Sequence, residues 1–169
     1  MPTETSSNTG GALRAIFWGG LLCGLFDIGF AFASLALNHV PIIRGVQFIA
    51  AGVLGRPAAR AGGLKTASLG MVLHFVISFG AAAVYYVASR KLTVLTRRVV
   101  ACGMLYGIAV FFFMNFVVVP LSRIGARRQF DASGFMLELV EHVLLVGLPI
   151  ALATRKFAGP PERAFAAGS

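Results

Sequence analysis

Four apolar stretches of about twenty residues divide this sequence, and each can cross the hydrocarbon core of a bilayer as an α-helix. They cover approximately residues 15–37, 66–89, 99–119 and 134–154. Of the 169 residues, 57% are hydrophobic and 12% are charged. A soluble domain of this length has too little interior to bury that much apolar surface. The sequence therefore predicts an all-α membrane protein whose four transmembrane helices form a compact bundle over residues 12–156.

Shorter segments complete the predicted organisation. Residues 1–11 are rich in Ser, Thr and Gly and predict a disordered tail, and residues 157–169 predict a polar C-terminal tail. Residues 41–54 carry apolar side chains at helical spacing, with Arg44 and Gln47 off the apolar face. Fourteen residues rise only about 20 Å. This segment predicts a short amphipathic helix in the membrane interface between helices 1 and 2, or a shallow re-entrant segment.

The connections are basic, and prolines mark two helix positions. Residues 55–65 predict a basic, glycine-rich loop, and residues 90–98 predict a short basic link. The third span is expected to stop at Pro120, and the fourth is expected to bend at Pro149.

The net charge of +9 is distributed between the apolar stretches and does not form one basic face. That distribution favours contact with anionic lipid headgroups and argues against nucleic-acid binding. The densest short link, residues 90–98, holds four basic residues, so the positive-inside rule predicts that both termini are cytoplasmic. Four helices would form only a thin pore wall. A conducting pathway would therefore require a homo-oligomer or a membrane protein partner.

Small residues recur at four-residue spacing on two of the predicted spans. Gly20 and Gly24 lie in the first span, and Gly103 and Gly107 lie in the third. Because lipid removes the usual hydrophobic drive for helix association, close backbone approach must supply much of it. These glycines are therefore predicted helix-packing positions.

Polar side chains interrupt all four apolar stretches. When depth is counted at 1.5 Å per residue from the middle of each stretch, all of these side chains lie toward the end that holds the loop at Pro41. They are Asp27, His74, Asn115, Glu138, Glu141 and His142.

Two interpretations of these six residues stay open. Ionisable groups inside a bilayer are costly and usually face a partner, a cavity or a bound species. The functional interpretation is a one-sided pocket for a proton, a cation or a small polar ligand, in which carboxylates beside histidines exchange protons. The structural interpretation is a network that only fixes how the helices pack, as in an accessory or scaffolding membrane protein.

Other classes of function have less support. The sequence holds no H-E-x-x-H, repeated Glu-x-x-His, G-x-S-x-G or nucleotide-binding glycine loop. His74 and His142 lie on different helices at similar depth, but the nearby carboxylates argue against a haem between them. Cys23 and Cys102 are read as packing residues. We predict no catalytic residue and no cofactor, leave the metal open, and rank an intramembrane enzyme or haem protein last.

Parts of the last two-thirds of the chain carry a resemblance. They are the second-span segment 73–78 followed by Tyr85 and Tyr86, the third span ending in Pro120, and Glu141 with His142 in the fourth. In these features the chain resembles the uncharacterised four-helix bacterial inner-membrane proteins of the YagU type. The resemblance implies a bacterial inner membrane and no known reaction, so no site residue is assigned from it.

Overall fold

The structure is a computed structural model that describes residues 5–125 and 132–158, and the regular elements of these residues are all helical. The first part of the chain forms α1 (Thr5–Leu37), α2 (Ile42–Leu54), α3 (Arg56–Ala61), α4 (Gly63–Lys91) and α5 (Val94–Arg97). The second part forms α6 (Val99–Phe113), α7 (Val119–Leu121), α8 (Ala132–Glu141) and α9 (Leu148–Phe157), with π-helical turns at Met114–Val118 and His142–Gly147.

Four of the helical units in the described residues are long and apolar enough to cross a membrane. Span 1 is α1 and span 2 is α4. Span 3 combines α6, the first π-turn and α7, and span 4 combines α8, the second π-turn and α9. The predicted four transmembrane helices, with a short helix between the first two, are confirmed, and the chain is a multi-pass membrane protein.

The buried core joins all four spans. Cys23 of span 1, Tyr85 of span 2, Val99 of span 3 and Ile150 of span 4 belong to one buried cluster. Gly19 lets span 1 lie against both span 2 and span 4, because a methyl group there would be in contact distance of side chains from each. Tyr85 lies near the end of span 2 and Val99 begins span 3, so the core sits toward the end of the bundle that holds the link between them.

Two tyrosines join spans 2 and 3 at that same end. The Tyr106 hydroxyl donates to the Ala81 carbonyl oxygen at 2.7 Å, and the Tyr85 hydroxyl donates to the Leu95 carbonyl oxygen at 3.0 Å. The two rings meet edge to face with centroids 4.9 Å apart. Each buried hydroxyl thus has a partner, as apolar surroundings require.

Helix α2 packs across the opposite end of the bundle. A methyl group on Gly70 of span 2 would collide with the Val46 carbonyl oxygen, so the two backbones touch. The buried face of α2 includes Ala50 and Ala51, whose small side chains permit this approach. The backbone N–H of Arg123, just after span 3, donates to the Gly52 carbonyl oxygen at 2.9 Å. Helix α2 therefore connects the far ends of spans 2 and 3.

The expectation that Gln47 lies off the buried face is wrong. Gln47 is 5% exposed, and its Nε2 donates to the Gly63 carbonyl oxygen at 3.1 Å. This bond is an additional contact to a carbonyl of the first turn of span 2, and it ties α2 to the start of that span. Arg44 is exposed.

Span 1 begins earlier than its apolar stretch indicates. The predicted disordered tail is helical from Thr5, because Ala12 and Ala15 pack against Tyr86 and Ala158 and support the first turns. Once a helix has nucleated, further turns are added at little cost. Residues 1–4 and 159–169 of the predicted tails lie outside the described residues.

The two predicted loops are largely helical. Within residues 55–65, α3 occupies Arg56–Ala61 and span 2 already starts at Gly63. The Thr66 hydroxyl donates to the Ala59 carbonyl oxygen at 2.6 Å and holds α3 against span 2. In the link over residues 90–98, span 2 extends to Lys91 before the single turn of α5.

Span 3 ends at Leu121, one residue after the predicted stop at Pro120. The helix continues to Leu121 through the π-turn Met114–Val118, which ends two residues before this proline. The π-turn His142–Gly147 stands in the same position relative to Pro149 in span 4. A proline lacks the N–H that closes an α-turn, and its ring crowds the carbonyl four residues earlier. A wider turn upstream relieves both problems and lets the helix continue.

Candidate functional site

Four titratable side chains from three spans come together in the bundle. Asp27 Oδ2 lies 3.8 Å from His74 Nδ1, and Glu141 Oε2 lies 2.5 Å from His142 Nδ1. The Asp27 carboxylate is also within electrostatic range of Glu141 and His142. We call these four residues the polar cluster. Two carboxyl groups and two imidazoles therefore share one region among spans 1, 2 and 4.

His74 connects spans 1 and 2. Its Nε2 lies 2.9 Å from the Gly24 carbonyl oxygen. Because a carbonyl only accepts hydrogen bonds, this nitrogen carries the proton and donates it. Nδ1 faces Asp27 at a distance beyond a hydrogen bond. The Ser78 hydroxyl donates to the His74 carbonyl oxygen at 2.9 Å.

The close approach of spans 1 and 2 depends on the glycines of span 1. A methyl group on Gly24 would come 2.7 Å from the Phe75 ring and 3.1 Å from Ser78 Oγ. A methyl group on Gly20 would collide with Phe79. Since both positions lack a side chain, the His74 ring reaches the main chain of span 1.

Glu141 and His142 stand where span 4 changes from α- to π-helix. His142 Nδ1 lies 3.0 Å from the Glu138 carbonyl oxygen as well as beside Glu141 Oε2. With an acceptor-only carbonyl on one side, Nδ1 carries a proton that both oxygens share. The Glu141 side chain is 2% exposed, and its Oε1 has no hydrogen-bond partner among the described residues. A buried polar atom without a partner costs about 1–3 kcal/mol, and more when it is charged.

Glycines also bring spans 3 and 4 into backbone contact beside the polar cluster. A methyl group on Gly107 would collide with the His142 carbonyl oxygen, and one on Gly103 would press on Ala151. A methyl group on Gly147 would in turn collide with the main chain of span 3. Gly103 and Gly107 were predicted from the sequence as packing positions, whereas Gly147, which ends the π-turn, was not. Phe111, fully buried, meets the His142 ring edge to face at 5.4 Å.

The other two predicted pocket residues are placed differently. The Asn115 amide donates to the Phe111 carbonyl oxygen of its own helix at 3.1 Å instead of reaching the polar cluster. Glu138 meets His142 through its carbonyl oxygen, and its side chain is half-buried. Asn115 lies in the first π-turn and Glu138 one turn before the second.

Two neighbours of the polar cluster were missed as site residues. The buried Cys23 thiol lies beside the Ser78 hydroxyl and within electrostatic range of Asp27 and Glu141. A sequence signal existed for both, because Cys23 precedes Asp27 by four residues and Ser78 follows His74 by four. That spacing puts each residue on the same helix face as its polar neighbour.

Chemically, the polar cluster is suited to holding and exchanging protons. Carboxyl and imidazole groups are the usual acids and bases of proteins near neutral pH. In the described residues no group of three His, Cys, Asp or Glu side chains has the arrangement of a metal site. Comparison with models of known families, with curated proteins and with solved structures finds no match to this chain.

Proposed function

We propose that this protein takes up a proton, or a cation in its place, at the polar cluster within the membrane. The observation that carries the proposal is the Glu141 carboxyl group. It is almost fully buried, one oxygen contacts His142, and the other has no hydrogen-bond partner in the part of the chain that the structure describes. A proton on Glu141 would remove a buried charge, and a bound cation would give its second oxygen a partner. Either event relieves the same cost.

A difference in exposure gives the proposed uptake a direction. The Asp27 side chain is 31% exposed, whereas that of Glu141 is 2% exposed. Asp27 interacts electrostatically with Glu141 and with both histidines. In this scheme Asp27 is the entry group, Glu141 is the buried acceptor, and His142 shares the proton that Glu141 receives.

The cellular setting is part of the proposal. We infer a bacterial inner-membrane protein of the YagU type, with both termini in the cytoplasm. The four basic residues of the link over residues 90–98 support that orientation under the positive-inside rule. A second copy of the chain would be needed to enclose a pathway across the whole membrane.

Infrared difference titration tests the proposal directly, because the carbonyl stretch of a protonated carboxyl group reports side-chain protonation without assuming transport. The purified protein in lipid vesicles should give a carboxyl band that appears as the pH is lowered. Glu141→Gln should remove a band of one carboxyl group. Glu138→Gln, one helical turn earlier, is the matched control and should leave that band in place.

The histidines give a second comparison. His142→Ala should shift the pH at which the Glu141 band appears, since it removes the group that shares the proton. His39→Ala, at an exposed position outside the cluster, should not. The same titration in sodium or potassium salts separates proton uptake from cation uptake, because a bound cation lowers the pH at which the carboxyl band appears. If Glu141→Gln left every carboxyl band unchanged in a folded protein, the proposal would fail.

A structural role is the second candidate function, and the contacts of His74 favour it. Its Nε2 donates to the Gly24 carbonyl oxygen of span 1, and this contact serves helix packing. An accessory or scaffolding protein would need only contacts of this kind. It would keep its partners and its bundle when Glu141 is replaced by Gln.

A further inference from the structure

Helices α2 and α3 enclose a cleft of about 70 Å³ at the end of the bundle opposite the termini. It is lined by the apolar residues Phe48, Ala51 and Ala59, by the amide residue Gln47, and by three arginines, Arg44, Arg56 and Arg60. All three arginines are exposed. This cleft, which we call the arginine cleft, is separate from the polar cluster.

The turn between α2 and α3 creates the cleft. Gly55 has a φ of 82°, in the left-handed region that favours glycine, and it lets α3 fold beside α2. Arg44 lies one turn before Phe48 on α2, and Arg56 and Arg60 lie one turn apart on α3. The Arg56 Cζ atom stands 5.9 Å from the centre of the Phe48 ring, a cation–π distance that restrains this side chain.

The arginine cleft has no counter-charge in the described residues. The ion pairs among the described residues join histidines to Asp27 and Glu141 in the polar cluster. No described carboxylate pairs with Arg44, Arg56 or Arg60. Three like charges around one small space repel each other, so an anion between them is favoured. Helix α2 crosses the end of the bundle, which is the level at which lipid phosphates lie.

We propose that the arginine cleft binds one phosphate group, as carried by an anionic lipid headgroup or by free phosphate. Arginine presents a planar fork of donors that matches the oxygens of a phosphate group in a two-bond arrangement. The cleft of about 70 Å³ has room for a single small group such as a phosphate. This proposal does not depend on proton uptake at the polar cluster.

Native mass spectrometry of the protein released from nanodiscs of phosphatidylcholine with a minor fraction of phosphatidylglycerol tests the lipid source. The wild-type protein should retain one phosphatidylglycerol. Arg44→Gln with Arg60→Gln should lower its affinity by about 100-fold or more, because each substitution removes charge-assisted hydrogen bonds to the phosphate group, a larger loss than that of a surface charge. Lys65→Gln with Arg123→Gln is the matched control, because it removes the same charge from exposed positions at the same end of the bundle.

Inorganic phosphate, titrated into protein in phosphatidylcholine alone, tests the other source. Phosphate binding that the Arg44 and Arg60 substitutions abolish would assign the site to free phosphate, and retention of phosphatidylglycerol alone would assign it to the lipid. Equal losses in the cleft and control variants would mean general surface electrostatics and would overturn the proposal. Absence of binding by both anions would overturn it as well.

Discussion

Spans 1 and 2 are uninterrupted α-helices, whereas spans 3 and 4 each contain a π-turn ahead of a proline. The polar groups differ in the same way. On the regular pair, His74 finds the Gly24 carbonyl oxygen and the contact completes the packing. On the irregular pair, Glu141 and His142 stand at the start of the π-turn, and Glu141 Oε1 has no partner within the described ranges. The buried His74 of the regular pair thus has its partner on the neighbouring helix, whereas the buried Glu141 beside the π-turn keeps one oxygen without a hydrogen-bond partner in the described residues.

The two pairs also use glycine differently. In spans 1 and 2, Gly24 makes room for the Phe75 ring, which can adjust, and Gly20 makes room for both the ring and the main chain of Phe79. In spans 3 and 4, Gly107 and Gly147 bring one main chain against the other, where nothing can move aside. The irregular pair is therefore expected to tolerate less added volume and more change in helix length.

Deleting one residue should show the largest difference between the pairs. In a Pro149→Ala background, loss of Leu144 should leave a folded protein, because a π-turn holds one residue more than the α-turn that replaces it. Loss of Val76 from span 2 in the same background should abolish folding, since it rotates half the helix by about 100°. Both side chains are exposed, so neither deletion removes buried volume. Size-exclusion profiles and circular dichroism in detergent would measure this, and equal behaviour of the two deletions would contradict it.

Adding side-chain volume at the backbone contact should have the next largest effect. Gly147→Val should lower the free energy of unfolding by about 3 kcal/mol or more, because the added atoms meet the main chain of span 3. Gly80→Val is the control, as a methyl group at Gly80 has open space around it. Unfolding in mixed micelles gives both values. A loss at Gly80 as large as that at Gly147 would refute the prediction.

The smallest expected effect separates packing from chemistry. His74→Leu should lower the free energy of unfolding by about 1 kcal/mol, the usual range for one hydrogen bond between membrane helices. Glu141→Gln should change it by less than about 0.5 kcal/mol, because the amide keeps the shape and can still accept from His142. The same unfolding assay applies. A larger loss for Glu141→Gln than for His74→Leu would mean that the irregular pair, too, serves packing.

Hydropathy was sufficient to predict the spans because the bilayer fixes the length of any helix that crosses it. It was not sufficient to predict the two π-turns. A proline ends a helix when nothing holds the chain beyond it, and it is absorbed when later residues are anchored. Beyond Pro149, buried Ile150 and Ala151 anchor the chain and the helix continues to Phe157, whereas beyond Pro120 the helix ends after one residue. Such anchors depend on tertiary contacts that no local pattern contains.

For the candidate site, the depth of each polar side chain in the membrane could be counted from the sequence, but the direction in which the side chain points could not. Asn115 and Glu138 satisfy the same depth criterion as Asp27 and His142. Yet the side chain of Asn115 bonds within its own helix, and Glu138 meets His142 through its main chain. For Asn115, the rotation of span 3 about its axis decides this, and the backbone contact at Gly107 sets that rotation.

The hydrogen bond from Arg123 to Gly52 has a consequence for biogenesis. Arg123 is synthesised about seventy residues after Gly52, which corresponds to roughly four to fourteen seconds at ~5–20 residues per second. During that interval α2 has been synthesised, but the segment that will bond to it at Gly52 has not. This end of the bundle is therefore closed late, after span 3 has been inserted into the membrane.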